Sequence, residues 1–527
     1  MIFRIKEDEM IKHRSIFKID TRPEIVDLPS IKNRRKIDVR YPLIKPYAYA
    51  HIYWDEDNNE LVYHVEEPHL KTSEKEILRL LLLALEEMIN ISYSVANKFN
   101  LILNYLEKNV QAILVELGTK VSKETYLKLM YYIFRNSIGL NRIEPLLHDY
   151  YIEDIECNGL DSPLYIVHRK YENLKTNIIY KDIQELTDFV EKLAQKTGRY
   201  VSYAKPLLDG TLPDGSRVNA TYTQDVTTRG PTFTIRKFTK EPWTPVHLIL
   251  SKTASADIFA YIWIAIEHKR NFIVIGETAS GKTTFLNSIL SFIPPEARVC
   301  SIEDTRELNL AHDNWMPSVT RTGYGIPNLM GKEYGEITLF DLLKESFRQN
   351  PDYVIVGEIR GKEAYVLFQG MASGHASFGT FHAGSVETLM RRLETPPINL
   401  SPSLIESLDI VCVMSHLKDS DKNIRRLKQL VEIQSKTQSS EKVQKNIPYE
   451  WDPVSDKILQ KTELSLFSEI SKDSGISIEE LKNELSLRTK LLSQMAMMKM
   501  KDFKEINEII KEYYIDKEKV LSRLNLI

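Results

Sequence analysis

Cysteine is scarce in this 527-residue sequence, which contains Cys157, Cys300 and Cys412 and no other cysteine. An odd number of widely separated cysteines encodes neither a disulfide framework nor a CxxC zinc site. The scarcity therefore excludes a disulfide-stapled secreted domain and fits the reducing cytoplasm. We expect a cytoplasmic protein that holds no zinc.

Long hydrophobic runs are also missing, since no run approaches the roughly 20 apolar residues that span a bilayer. The most apolar segment, Leu80–Leu85, lies between Arg79 and Glu86 and predicts a buried helix. The opening residues, MIFRIKEDEMIKHR, alternate charges without a long apolar core, so we expect no secretory signal. A function at a membrane would have to come through a partner.

No charge of one sign dominates, because 70 Lys and Arg residues stand against 73 Asp and Glu residues, for a net charge of -3. This balance gives no overall electrostatic footprint for nucleic acid, although a local basic patch could lie within it. The composition, 43% hydrophobic and 27% charged, is that of an ordinary globular protein. A chain of this length predicts two to four domains.

Composition and residue patterns divide the chain into six parts. The charged opening segment predicts a solvated or loosely docked extension. From residue 257 to about 415, short strands and helices alternate, which is typical of a parallel sheet covered by helices. The predicted parts are an N-terminal extension at 1–45, a helical N-terminal region at 46–150, an α/β subdomain at 151–242, a linker at 243–256, a second α/β domain at 257–455 and a C-terminal helical region at 456–527.

Local signals predict where individual elements begin and end. Ser73 with Glu76, and Ser477 with Glu480, have the spacing of capping boxes and predict the starts of two helices. The polar stretch Ser435–Lys445 predicts a flexible loop.

A glycine-rich stretch, GETASGKTT, follows the apolar run Asn271–Ile275 and matches the pattern GxxxxGK[ST]. A loop of this kind between a strand and a helix directs backbone N–H groups at phosphate oxygens. Lys282 would reach the β- and γ-phosphates, and the Thr283 hydroxyl would bind Mg²⁺. A helix start that binds nothing is the alternative. The predicted nucleotide contacts are Gly276, Glu277, Thr278, Ala279, Ser280, Gly281, Lys282, Thr283 and Thr284.

A short apolar strand that ends in an acid lies about 75 residues beyond this loop. Tyr353–Val356 is followed by Gly357 and Glu358. Such a strand would mean little alone, but beside a phosphate loop it is the Walker B arrangement. We predict that Glu358 polarises the attacking water or binds Mg²⁺, with Thr283 as the other metal ligand.

A further strand, which begins at Val299, also ends in carboxylates: Glu303, Asp304 and, shortly after, Glu307. These carboxylates could gather around metal and water, or they could form a solvated loop. Glu303 is the residue of this group that we predict to be catalytic.

Two histidines bracket the segment GHASFGTFHA, at positions 375 and 382. A lone histidine is usually structural, but a pair downstream of a Walker B strand is more suggestive. We predict a catalytic role for His382. A zinc site is not favoured, because no third ligand lies nearby.

The order GETASGKTT, SIEDTRE, VGEIRG and GHASFGTFHA resembles the Walker A, aspartate box, Walker B and histidine box of the type II/IV secretion ATPases. These are the motors of type II secretion, type IV pili and archaella. The segments YVSYAKPLLDG, LPDGSRVNAT and FTIRKF resemble the archaeal branch. The resemblance extends over roughly residues 45–525 and is densest between residues 200 and 395.

This resemblance implies an α/β fold in which a RecA-like P-loop motor domain follows an N-terminal helical and α/β domain, joined by a short linker. It also implies a homohexamer, with ATP and Mg²⁺ as cofactors. Arginines of the N-terminal domain reach the phosphates in the family, and by position these are Arg217 and Arg236. They could act within one subunit or on its neighbour, or they could merely pair with carboxylates. The four-cysteine zinc module of many bacterial members is absent here.

The function implied is that of an ATP-hydrolysing hexameric motor, which powers assembly of a type IV pilus-like filament or an archaellum, or related secretion. Its partner would be a polytopic membrane platform protein, with the motor peripheral at the cytoplasmic face of the membrane. A RecA-like nucleic-acid translocase is the alternative, which the near-neutral charge does not favour. A nucleotide-dependent scaffold without turnover also stays open.

Overall fold

The computed structural model describes residues 16–29, 31–88, 99–238, 241–321, 323, 334–419, 422–434 and 444–526. The chain divides into two compact units, Met1–Phe238 (unit 1) and Thr239–Ile527 (unit 2). Among the described residues, no helix is both long enough and apolar enough to cross a membrane.

Unit 1 is built on a nine-stranded sheet. Its strands are β1 (Asp38–Ile44), β2 (Ala48–Asp55), β3 (Glu60–Glu66), β4 (Ile152–Cys157), β5 (Pro163–His168), β6 (Glu172–Ile179), β7 (Leu207–Thr211), β8 (Arg217–Thr221) and β9 (Thr232–Arg236). They lie in the order β1-β2-β3-β6-β5-β4-β9-β8-β7. Neighbours pair antiparallel except β3 and β6, which are parallel.

Burial alternates along these strands, as the sequence pattern predicts for a sheet with one covered face. In β2, the side chains of Ala48, Ala50 and Ile52 are fully buried while those between them are half-buried. The helices of unit 1 are α1 (Thr72–Met88), α2 (Phe99–Glu116), α3 (Lys123–Ile133), α4 (Glu144–Leu147) and α5 (Ile183–Lys196). Apolar residues from strands and helices form one core in this unit.

The N-terminal extension is docked where the structure describes it. Phe17 and Leu28 are buried, and the Glu107 carboxylate accepts hydrogen bonds from the backbone N–H groups of Ile16 and Phe17 at 3.1 and 3.2 Å. Of the two expected alternatives, residues 16–29 therefore have the docked one, because two apolar residues among the charges find places in the core. Residues 1–15 of the predicted extension lie outside the described residues.

Unit 2 is built on a second nine-stranded sheet. Its strands are β10 (Phe272–Gly276), β11 (Val299–Glu303), β12 (Trp315–Val319), β13 (Tyr353–Ile359), β14 (Ala376–His382), β15 (Ile410–Asp419), β16 (Lys422–Gln434), β17 (Gln444–Asp452) and β18 (Lys457–Gln460). The order is β12-β11-β13-β14-β10-β15-β16-β17-β18. The strands from β12 to β15 in this order pair in parallel, and β15 to β18 pair antiparallel.

Helices connect and cover this sheet. They are α6 (Pro245–Leu250), α7 (Ala256–Glu267), α8 (Lys282–Ile289), α9 (Leu339–Arg348), α10 (Glu363–Ala372), α11 (Val386–Glu394), α12 (Pro402–Ile405), α13 (Leu466–Ser474), α14 (Ile478–Met497), α15 (Phe503–Ile515) and α16 (Lys517–Arg523). The C-terminal helices pack on the same core as α7, where the buried Arg488 lies 4.6 Å from the ring centre of Trp263 and pairs with Glu267.

The predicted linker is partly helical. The predicted linker at 243–256 contains the helix α6, which begins with a capping box formed by Thr244 and His247. Most of the predicted loop Ser435–Lys445 lies outside the described residues.

Candidate functional site

The parallel strands of unit 2 end at one edge of their sheet, as parallel strands must. Gly276 at the end of β10 pairs with His382 at the end of β14, and Ile302 of β11 pairs with Val356 of β13. The residues that the four motifs single out therefore lie along one edge. We name them the edge residues: Gly276, Lys282, Glu303, Glu358 and His382.

The glycine-rich loop leaves β10 at Gly276 and enters α8 at Lys282. A Cβ at Gly276 would lie 2.4 Å from the Ser280 Oγ and 2.7 Å from the carbonyl oxygen of Met414, so no other residue fits. Ala279 and Gly281 both have left-handed backbone, with φ of +60° and +87°. Such turns direct backbone N–H groups into a concave anion site.

Lys282 is buried at the start of α8, with 7% of its surface exposed. Its Nζ donates to the carbonyl oxygen of Glu277 at 2.9 Å and lies 3.3 Å from the Nδ1 of His382. Burial lowers the pKa of Lys282, and the nearby carboxylates of Glu358 and Glu307 offset part of this effect. The ammonium group of Lys282 is thus held beside the loop by the Glu277 carbonyl oxygen and the ring of His382.

Glu358 lies in an irregularity of β13, between residues that pair regularly with β14. The Thr380 hydroxyl donates to the Gly357 carbonyl at 2.6 Å across this irregularity. One carboxylate oxygen of Glu358 is 3.1 Å from the Nε2 of His382, and the other accepts from the Nη2 of Arg360 at 2.6 Å. A bulge re-aims side chains at the end of a strand, and here it directs a carboxylate along the edge.

The pKa of Glu358 is set by opposing effects. Burial alone would raise the pKa of this carboxyl, but the Arg360 guanidinium, with His382 and Lys282, brings it below its ordinary value. Glu358 is therefore ionised at neutral pH. The pKa of His382 is lowered, first by burial and then by the Lys282 ammonium.

The carboxyl group of Glu303, at the end of β11, has a pKa shifted in the opposite direction from that of Glu358. One oxygen accepts from the backbone N–H groups of Glu307 and Leu308 at 2.9 and 3.0 Å, while the other is buried without a hydrogen-bond partner among the described residues. Burial raises the pKa of this carboxyl to about 7, although the two backbone donors oppose the shift. A carboxyl near neutrality can exchange a proton at working pH.

The remaining motif residues lie at different distances from this edge. Asp304 is 3.8 Å from the Nη1 of Arg360. His375 precedes β14 and so lies at the opposite end of that strand from His382, where its ring packs edge-on against Phe347 at 5.0 Å between ring centres. The structure therefore separates the two histidines.

Arg217 and Arg236 belong to unit 1. They are directly opposite each other on β8 and β9. Like charges in that position repel, and each is balanced by a carboxylate: Arg217 by Asp209 and Arg236 by Asp154, both at 3.2 Å. Pairing with carboxylates, one of the alternatives for these arginines, is thus present, and their role at a phosphate stays a prediction.

Sequence reasoning missed residues that contact the edge. Arg360 pairs with Glu358, and the spacing VGEIRG, two residues beyond the acid, was a signal that could have identified it. Arg392 of α11 donates to the carbonyl oxygen of His382 and lies 4.7 Å from the ring centre of Phe381. No motif marked Arg392, because a helix that returns to the edge brings it there.

Comparison with known proteins decides the family. The family model described as type II/IV secretion system protein matches residues 139–455, more than half of the chain. The chain belongs to the type II/IV secretion ATPase family. A second model, PilB3-like C-terminal, matches residues 455–526. The predicted family is confirmed. The predicted α/β architecture is also present, as two sheets with their helices in two units of the chain.

The relatives of this chain include archaeal and bacterial proteins. The uncharacterized protein MJ0900 of Methanocaldococcus jannaschii is 38% identical over 399 residues, 75% of this chain and 71% of that protein. The type IV secretion system protein PtlH of Bordetella pertussis is 30% identical over 266 residues, 43% of this chain and 76% of that protein. The structure of the Legionella pneumophila ATPase DotB is 16% identical, covers 68% of this chain and 92% of that one, and has a TM-score of 0.40.

Proposed function

We propose that the protein is a Mg²⁺-dependent, ATP-hydrolysing motor that works as a homohexamer and powers assembly of a type IV pilus-like filament or an archaellum, or related secretion. Membership of the secretion ATPase family supports ATP hydrolysis. The observation that carries the proposal is the edge of the unit 2 sheet. There the phosphate loop, a buried lysine, a histidine and two carboxyl groups, whose pKa values are shifted in opposite directions, come together.

Each edge residue has a chemical task in this proposal. The loop N–H groups and Lys282 hold the phosphates of ATP. Glu303, whose pKa is about 7 and which has an unbonded oxygen, is the group best placed to accept a proton from the attacking water. The ring of His382 contacts both Lys282 and Glu358. The positions of these two side chains therefore depend on each other through the histidine.

The residues present fit a magnesium ion. Mg²⁺ prefers oxygen ligands and is usually held by one or two protein groups together with substrate phosphates. Glu358, ionised and at the edge, and Thr283, in the first turn of α8, supply such oxygens. When bound, the ion would offset negative charge on the phosphates.

Arg217 and Arg236 are proposed to reach the phosphates of ATP, within one subunit or across a subunit interface. Their adjacent positions on β8 and β9 support a joint role. An exposed ion pair contributes little free energy, so exchange of a carboxylate partner for a phosphate would cost little. The six-part division of the chain, with a hinge motion at the linker near residues 240–255, belongs to the same proposal.

The hexamer should depend on nucleotide, because ATP at an exposed edge adds contacts that a neighbouring subunit can complete. A ligand that prefers the assembled state shifts assembly by its differential affinity, and about 1.4 kcal/mol per site is tenfold. Light scattering at several protein concentrations, with and without Mg²⁺ and a non-hydrolysable ATP analogue, measures the mass. A mass that stays monomeric in both conditions at the highest concentration would contradict a self-assembling ring.

The membrane partner is proposed to be a polytopic platform protein at the cytoplasmic face. Affinity capture from membranes, followed by identification of the retained polytopic protein, tests this part. Filter binding to single-stranded and duplex DNA at low salt tests the translocase alternative. Tight, salt-sensitive DNA binding together with no captured membrane protein would favour the translocase. An ATPase assay separates a motor from a scaffold without turnover.

A further inference from the structure

One arginine outside the four motifs contacts the phosphate loop. Arg425 lies on β16, and its Nε donates to the carbonyl oxygen of Ala279 at 3.0 Å. A Cβ built on Gly281 would lie 3.3 Å from the Cδ of Arg425. Arg425 is therefore hydrogen-bonded to one of the two loop residues that have positive φ and passes close to the other.

These two residues are where the loop needs support. A left-handed backbone is unfavourable for any residue with a Cβ, and Ala279 has no side-chain amide that could stabilise it locally. Such conformations persist when the surroundings hold them. A charged donor bonded to the carbonyl of the strained residue is a contact of that kind.

The next residue fixes the strand from which Arg425 extends. Arg426 is buried, and its Nε and Nη2 bind the Asp456 carboxylate at 2.8 and 3.0 Å. Its Nη1 donates to the carbonyl oxygen of Ser251 at 3.0 Å. Because successive side chains of a strand point to opposite faces, Arg425 extends toward the loop from a strand anchored on its other face.

We propose that Arg425 is a positioning residue for nucleotide binding, which keeps Ala279 in its left-handed conformation and so directs the loop N–H groups at the phosphates. This inference rests on the proposed nucleotide function. Arg425 acts through the loop, so its loss should weaken nucleotide binding and leave the chemical step to Lys282, Glu303 and Glu358.

Three variants of the full chain test this role. R425M keeps the aliphatic packing over Gly281 and removes the donor, R425K supplies another donor to the same carbonyl, and K428M makes the matched change at an exposed lysine of β16. In R425M we expect the Kd for a fluorescent ADP and the KM for ATP to rise about tenfold, which is the loss of one charged hydrogen bond. We expect kcat to stay within about threefold of wild type, since a loop contact is made equally in ground and transition states.

R425K should recover most of the ADP affinity, and K428M should bind ADP as the wild type does. Wild-type affinity in R425M overturns the inference, as does an equal loss in R425M and K428M, or a fall in kcat with KM unchanged. Thermal melting checks that each variant folds, and R425A repeats the test if R425M does not. Failure of the wild type itself to bind ADP would contradict the proposed function, so the two failures are distinguishable.

Discussion

The two nine-stranded sheets use charged residues in different ways. In unit 2, β10, β11, β13 and β14 are parallel, and their carboxyl ends bring Lys282, Glu358 and His382 into one connected set of contacts. In unit 1 the strands around Arg217 and Arg236 are antiparallel, and each arginine is balanced on the sheet surface by a carboxylate.

Direction of the strands explains the difference. Parallel strands place every carboxyl end at the same edge, so residues far apart in sequence meet there. Antiparallel neighbours alternate their ends, so charged residues meet as cross-strand pairs on a face. A parallel sheet therefore makes a compact, partly buried site, whereas the antiparallel sheet presents arginines that are paired with carboxylates on its face.

The largest effect is expected at the buried lysine of the parallel sheet. K282A should abolish ATP turnover, because the γ-phosphate loses its point-charge partner. A steady-state phosphate-release assay measures this. The matched control is K269A, which removes an exposed lysine at the opposite edge of the same sheet, where it pairs with Asp352. Wild-type turnover in K282A, or an equal loss of turnover in K269A, would contradict the expected difference between the two edges of the unit 2 sheet.

A large effect is also expected at Glu358, the ionised carboxylate of the same edge. E358Q should bind ATP but hydrolyse it as much as about 10⁴-fold more slowly, because it keeps the shape of the side chain and removes the charge that orients water or binds Mg²⁺. Nucleotide titration and single-turnover hydrolysis separate the two steps. Normal turnover in E358Q would contradict a role of Glu358 in hydrolysis and leave Glu303 or Asp304 as the catalytic carboxylate.

The antiparallel sheet should give a kinetic effect of a different kind. R217A should lower kcat by about 10³-fold and weaken nucleotide binding less, if the arginine reaches the γ-phosphate in the transition state. The paired control D209N breaks the ion pair and leaves Arg217 in place. Equal losses in R217A and D209N would mean that the arginine serves the ion pair alone, and a rise in KM with kcat unchanged would mean simple binding.

The smallest effect concerns stability and pH. The pKa of Glu303 is raised to about 7 by burial, so the folded state prefers the protonated carboxyl. Its contribution to stability is present below the ordinary pKa of glutamate and is lost as pH rises through about 7. In nucleotide- and magnesium-free protein, the Tm of E303Q should therefore rise relative to that of the wild type as the pH is increased from about 5 to about 8. A Tm difference that is constant over this range would contradict the raised pKa.

Local helix signals show how far the sequence alone could predict the fold. The capping box of Ser477 and Glu480 is confirmed, with reciprocal hydrogen bonds at the start of α14. The prediction of a capping box at Ser73 and Glu76 is wrong, because α1 begins at Thr72. At this helix start the Glu74 carboxylate accepts a hydrogen bond from the backbone N–H of Lys71 at 2.8 Å. Several acids compete at that helix start, and Glu76 pairs with Arg79 instead.

The candidate site was predictable to the extent that its residues follow one another in short motifs. GETASGKTT indicates a loop between strand and helix, and the structure has that loop between β10 and α8. The contact of Arg425 with Ala279 had no such signal, since it joins residues 146 positions apart through the antiparallel extension of the sheet. The docking of residues 16–29 could not be told from a solvated tail for a similar reason, because two buried apolar side chains, Phe17 and Leu28, do not stand out in a charged stretch.

By itself, the sequence determined the resemblance to the family, the glycine-rich loop and the acids that end the strands, since each depends on neighbours within a few residues. The tertiary structure alone decided that the pKa of Glu303 is raised while that of Glu358 is lowered, because burial sets the first and the position of Arg360 sets the second. It also separated His375 from His382, because a strand places its two ends at opposite edges of the sheet. Charge state and proximity depend on which strands become neighbours, and local spacing does not encode that order.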